Sequence, residues 1–182
     1  MVLGDEGVLE PVGPIVVVAA PQWSVSLAVA LTKGTKPELV VQKATELGVD
    51  SVVIFAADHS VPRWAPDKQQ RSLERLARVS REAAMQSRRV RVPAIMHVDT
   101  LDKVVEYHEN AELGGRVAIA QFGGEPVSPE DQIIAIGPEG GWSDRERGLV
   151  PKHIDLGGSV LRAETAAIVV AAEMLRVRNL GR

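Results

Sequence analysis

The sequence predicts an α/β protein built on a mostly parallel sheet flanked by helices. Short β-branched, apolar runs recur along the chain and alternate with stretches of helical period. Three of those runs end in glycine turns, "AIAQFGGE", "IAIGPEGG" and "IDLGGS", and strand ends of that kind usually gather at the carboxyl edge of such a sheet.

The candidate strands are "PIVVVAA", "SLAVAL", "SVVIFAA", "RVPAIMHV", "RVAIAQF", "QIIAIG" and "HIDLGG", the last closing at Leu156. Between the second and third, Thr35 and Glu38 make a capping box with Pro37 in the first turn. Leu39, Val40, Ala44 and Leu47 form the apolar stripe of that helix, and Gly48 ends it. The longest helix is expected from Pro66 to Gln86, with Leu73, Leu76, Ala77, Ala83 and Ala84 facing inward. Its other side carries Lys68, Arg71, Arg75 and Arg78 at three- and four-residue steps, and Arg88, Arg89 and Arg91 continue the positive charge beyond it. That stripe is either a solvated surface or a phosphate-binding face. A shorter helix is expected from Thr100 to His108, then a polar loop from Gly123 to Asp131. A last helix from Arg162 to Arg178 has a small-residue face suited to the core or to a partner subunit.

At 182 residues, 45% of them hydrophobic and 25% charged, the chain fits one main globular domain. It has no cysteine, so thiolate chemistry and disulfides are excluded, and its four histidines lack the spacing of a zinc site, so no metal is expected. No apolar run approaches the roughly 18 residues that span a bilayer, and the N-terminus is acidic where a signal peptide is basic. A cytoplasmic protein without membrane contact is expected. The net charge of −3 does not advertise nucleic-acid binding, so any basic surface must be local.

The turn "GPEGGWS" first suggests a phosphate loop, because a glycine turn opening a helix presents N–H groups to anions. It contains no Walker lysine and no dinucleotide spacing, and Glu139 has the wrong sign for an anion. With the other two turns it instead suggests a pocket lined by backbone, which reads the hydrogen-bonding edge of a ring such as adenine, between Leu156 and Leu161. The alternative is that these glycines only make tight turns.

"IAIGPEGGWSDRE" followed by "LGGSVLRAETAAIVVAAEML" resembles the paired C-terminal motifs of the ribosomal RNA small-subunit methyltransferase E family, of the SPOUT trefoil-knot class. The likeness extends upstream through "KATELGV" and "REAAMQSRR" and covers about Leu27 to Leu175. It implies a C-terminal deep trefoil knot. It also implies a homodimer that uses S-adenosylmethionine to methylate N3 of a uridine in small-subunit (16S) ribosomal RNA. The implied cofactor-binding residues are Ala120, Gln121, Gly137, Pro138, Glu139, Gly140, Gly141, Leu156, Gly157 and Leu161. Uracil N3 must lose its imide proton, so the reaction needs a proton acceptor and a stabiliser of the imide oxygens. Arg162 is the candidate stabiliser; Glu139 and Glu164 either accept the proton or cap backbone N–H groups.

The resemblance also places Gln86 and Arg88 toward RNA, beside Arg71, Arg75, Arg78 and Arg89, with Lys33 and Lys43 as weaker phosphate contacts. His59 stands where the family often has arginine. Residues 1–25 are expected to be a remnant of the family's N-terminal PUA-like barrel, and 26–182 the methyltransferase domain. Two other readings are a non-catalytic knot dimer that binds RNA or a ribosomal partner, and a methyltransferase for another RNA.

Overall fold

A computed structural model describes residues 2–3, 9–10, 13–32, 36–110 and 114–180. Its first two strands, β1 (Val2–Leu3) and β2 (Leu9–Glu10), pair antiparallel and apart from the rest. The body is a six-stranded sheet of β3 (Ser26–Ala30), β4 (Ser51–Phe55), β5 (Ala94–His97), β6 (Arg116–Glu125), β7 (Asp131–Ile136) and β8 (His153–Ile154). Their order is β5-β4-β3-β7-β6-β8, and every pairing in it is parallel.

Parallel strands need crossovers, and helices supply them on both faces. Helices α1 (Lys36–Leu47), α2 (Pro66–Gln86) and α5 (Ala163–Leu180) cover one face, where Leu27, Val29, Val52, Ile54, Ile134 and Ile136 meet Val40, Leu76, Ala167, Val170 and Met174. The opposite face, formed by Ala28, Val53, Phe55, Ile133 and Ala135, packs on Leu101 and Val104 of α3 (Leu101–Asn110). It also packs on Trp142 and Val150, which flank α4 (Asp144–Leu149). Because both faces are covered, the central strands read as nearly continuous apolar runs, and β3, β4 and β7 are buried throughout.

The expected elements form, with four differences. "PIVVVAA" pairs with no strand among the described residues: Ile15, Val16, Val17 and Val18 lie exposed, since β-branched residues make a strand only where an edge accepts one. The region expected as a loop from Gly123 begins inside β6, which continues to Glu125 because Glu125 pairs with Ile154 of β8. Strand β8 stops at Ile154, two residues before Leu156, and α3 and α5 start one residue and end two residues beyond their expected limits. The small face of α5 is used by the core, with Ala166, Ala167, Ala171 and Met174 buried. Gly48 does end α1, at φ +105°, whereas Thr35 of the expected capping box lies outside the described residues. No helix among the described residues is long and apolar enough to cross a membrane.

Candidate active site

At the carboxyl edge of β7 the chain leaves through Gly137 into a tight turn, with the Gly141 N–H donating to the Pro138 carbonyl at 2.9 Å and Gly141 at φ +72°. A Cβ on Gly137 would stand 2.9 Å from the Trp142 ring, so only glycine lets the indole fold back over the strand end. Trp142 is buried, stacks on Phe55 with ring centroids 6.2 Å apart, and donates its indole N–H to the Ala120 carbonyl at 2.9 Å. One side chain thus fixes the turn after β7 against the middle of β6, where the pairing of the two strands ends.

A polar brace holds the outside of this turn. Ser143 caps α4 in a reciprocal box with Glu146, whose fully buried carboxylate accepts from the Ser143 N–H and from the Asp58 N–H, both at 3.0 Å. Asp58, just beyond β4, accepts from Ser143 Oγ at 2.6 Å and from Arg145, which also grips Asp102 of α3 at 2.8 Å. The Arg145 guanidinium and then the Ser143 hydroxyl hold the Asp58 carboxyl below the usual carboxylate range; Arg145 does the same to Asp102. His59 Nδ1 lies 3.1 Å from both the Gly140 and the Gly141 carbonyl oxygens. Carbonyls only accept, so Nδ1 carries the proton.

The second and third glycine turns share one anchor. Asp155 accepts from the Gly157 N–H at 2.9 Å through one oxygen and from the Gly123 N–H at 3.1 Å through the other. Gly124 lies so close to the His153 carbonyl group that a Cβ would come within 2.6 Å of it.

The three strand ends enclose a cleft with two lobes, of about 470 and about 140 Å³. Ala120, Gln121 and Leu161 line both lobes, Gly137, Pro138, Glu139, Gly141 and Arg162 the larger, and Leu156 and Gly157 the smaller. The expected convergence therefore occurs, with two exceptions. Gly140 lines neither lobe, because its carbonyl is turned outward to His59. Glu164 also lines neither; it sits beside Lys36, whose Nζ is 2.5 Å from Glu139 Oε1 and 3.5 Å from Glu164 Oε2. The hydrogen bond to Glu139 raises the Lys36 pKa above the usual lysine value. Arg162, just before α5, is exposed, and among the described residues its side chain makes no ion pair or hydrogen bond. The larger lobe thus offers one carboxylate, paired with Lys36, and one guanidinium free for a ligand.

The RNA-facing candidates are not brought to this cleft as a group. Helix α2 runs back from the carboxyl edge of the sheet to its amino edge, carrying exposed Arg71, Arg75 and Arg78 in that order. Arg75 pairs with Glu38 at 2.7 Å, and Lys43 with Glu46 at 2.8 Å. Gln86 lines a groove between α1 and α2, Arg88 adopts φ +54°, and Arg89 donates to the Leu47 carbonyl at the end of α1. Those last three stand at the edge opposite the cleft, because a parallel crossover returns the chain to where strands begin. Lys33 lies outside the described residues. Sequence reasoning missed Asp58, Arg145, Lys36 and Asp155; of the brace, only the Ser-x-x-Glu spacing of 143–146 was a readable signal. Among the described residues no group of three metal-ligating side chains occurs.

Residues 19–175 match the model of a family described as RNA methyltransferase domain. The chain is 32% identical over 173 residues to the ribosomal RNA small subunit methyltransferase E of Bacillus subtilis, covering 84% of this chain and 68% of that one. It is 30% identical to the protein of the same name from Synechocystis, over 82% of this chain and 52% of that one. A Legionella pneumophila protein solved with the cofactor S-adenosylmethionine bound superposes with a TM-score of 0.74 at 28% identity, covering 87% of this chain and 66% of that one. The SpoU methyltransferase AviRb of Streptomyces viridochromogenes, at 19% identity and a TM-score of 0.60 over 90% of this chain and 62% of that one, shares the fold, which is of the α/β-knot class. The chain spans from about half to about two thirds of these relatives' lengths.

Proposed function

The chain belongs to the RNA methyltransferase domain family, and from that premise we propose that it is an S-adenosylmethionine-dependent methyltransferase acting on N3 of a uridine in small-subunit ribosomal RNA. The observation that carries the proposal is the convergence of three glycine-bearing strand ends on one cleft. Its larger lobe is the size of a small-molecule site and is lined by backbone and apolar side chains with few charges. The cofactor fits this donor set: Leu156 and Leu161 bracket a flat ring, and backbone groups of the turns meet its edge. The names of the similar proteins, which are ribosomal RNA methyltransferases, support the substrate class.

When bound, S-adenosylmethionine supplies an electrophilic methyl group. Arg162 donates to a uracil oxygen beside N3, where negative charge grows as the imide proton leaves. Glu139, which faces the cleft beside Lys36, accepts that proton. Glu164 holds Lys36 from the far side and so positions Glu139. The exposed arginines of α2 attract the RNA backbone from outside the cleft. A homodimer would use the outer side of α5, where Thr165, Ile168, Val169 and Ala172 remain at least partly exposed. We place the protein in the cytoplasm with its substrate.

Calorimetric titration with S-adenosylmethionine, followed by a methyl-transfer assay on unmethylated small subunits with mapping of the product nucleoside, tests the proposal. Binding and a 3-methyluridine product are expected; a folded protein that binds no cofactor, or a different methylated nucleoside, overturns it.

A further inference from the structure

We propose that Phe122 is the platform on which the target base of the RNA stacks; the proposal rests on the methyltransferase reading. Of the six aromatic residues in the chain, Phe55 and Trp142 are buried, Trp23, Trp64 and Tyr107 are half-buried, and Phe122 alone is exposed, at 66%. It lines both lobes of the cleft, and Arg162, the unpaired guanidinium, lines the larger of them.

The backbone displays this ring deliberately. Ala120 and Glu125 both pair with Ile154, so residues 121–124 of β6 bulge out of its ladder with β8, a device that re-aims side chains beside active sites. The bulge is pinned on either side of the ring. Trp142 holds the Ala120 carbonyl at 2.9 Å, and Asp155 holds the Gly123 N–H at 3.1 Å with Gly123 at φ +77°. Nothing in that arrangement buries the phenyl group, so its exposure is not the by-product of a loose loop.

An exposed ring on a fixed rim suits a flat group that arrives from solvent, and every nucleobase has a face that stacks on an aromatic ring. The adenine of the cofactor is a poorer match, because a small ligand buries most of its surface and the half-buried Leu156 and Leu161 offer the deeper walls. With the base on Phe122 and its oxygens toward Arg162, stacking and hydrogen bonding would together hold a uracil at the cleft.

The test uses Phe122→Ala and Phe122→Trp in the full chain. Phe122→Ala is expected to raise the KM for unmethylated small subunits about tenfold, with kcat and cofactor affinity changed by less than about twofold. Phe122→Trp is expected to restore the KM. Anisotropy with a labelled oligouridylate should show the same loss and rescue, independently of turnover. Unchanged oligouridylate affinity in Phe122→Ala, or no binding of it by the unaltered protein, overturns the proposal. Weaker cofactor binding instead would put the ring against adenine, and a changed oligomeric state in sedimentation would put it between subunits; either overturns it too. Oligouridylate binding that depends on Phe122 in a protein that transfers no methyl group would overturn the enzymatic reading and leave the stacking platform standing.

Discussion

The indole N–H of Trp142 lies 2.9 Å from the carbonyl oxygen of Ala120, joining the turn after β7 to the middle of neighbouring β6 through one side chain. The same ring covers Gly137 and stacks on Phe55, so the cleft wall is fastened to the sheet core. Trp142→Phe keeps a ring there and removes the donor. It should cost about 1–3 kcal/mol of stability by leaving the Ala120 carbonyl unpaired, read by urea denaturation. Cofactor affinity should fall with it, read by calorimetry; unchanged values for both would show that the contact does not shape the cleft.

Arg162→Ala removes the exposed guanidinium of the cleft. Methyl transfer is expected to drop about 10²-fold or more, as when a transition-state donor is lost, while cofactor affinity stays within a few-fold. Single-turnover kinetics beside calorimetry separate these effects. A parallel fall in both would make Arg162 part of the cofactor's site instead.

Stability should depend on Asp58 in acid. Its folded-state pKa is depressed by Arg145 and Ser143, so its contribution is present above the unfolded carboxylate pKa of about 3.9 and fades as pH falls through the lower folded value. Asp58 is exposed, so the effect is small. Melting temperatures from pH 6 down to 2 should fall less steeply in Arg145→Met than in the unaltered protein. Identical slopes would show that the brace contributes nothing through charge.

The arginines should separate by edge of the sheet. Arg71→Gln and Arg78→Gln are each expected to reduce the salt dependence of RNA binding by about one counterion. Arg89→Gln, whose guanidinium is bonded to the end of α1, should lower stability and leave that slope unchanged. Filter binding across a salt series, with thermal melts, tells the two groups apart; a slope change in Arg89→Gln would return it to the RNA surface.

Much of this was legible in the residues because local chemistry specifies it. The β-branched runs of β3, β4 and β7, the apolar stripe of α2 and the glycine turns all follow from periodicity and turn preference. What could not be read was tertiary pairing. Asp58 and Arg145 are 87 positions apart, and Lys36 and Glu139 are 103 apart, and no pattern in a single sequence couples such distant charges. The arginine stripe was visible as a stripe, but its placement relative to the cleft depends on the direction in which α2 crosses the sheet. "PIVVVAA" failed in the other direction: its composition suits a strand, and no strand among the described residues pairs with it.

The pairing at the middle of the sheet also sets a timetable. Strand β3, from the first fifth of the chain, has β4 on one side and β7, from its last third, on the other. During synthesis β3 and β4 can pair early, but the sheet stays half-built until β7 emerges, and the last wall of the cleft arrives with α5. Long-range closures of this kind are slow. A nascent chain stalled before Gly137 would carry the basic helix without the cleft, so the two surfaces are completed one after the other.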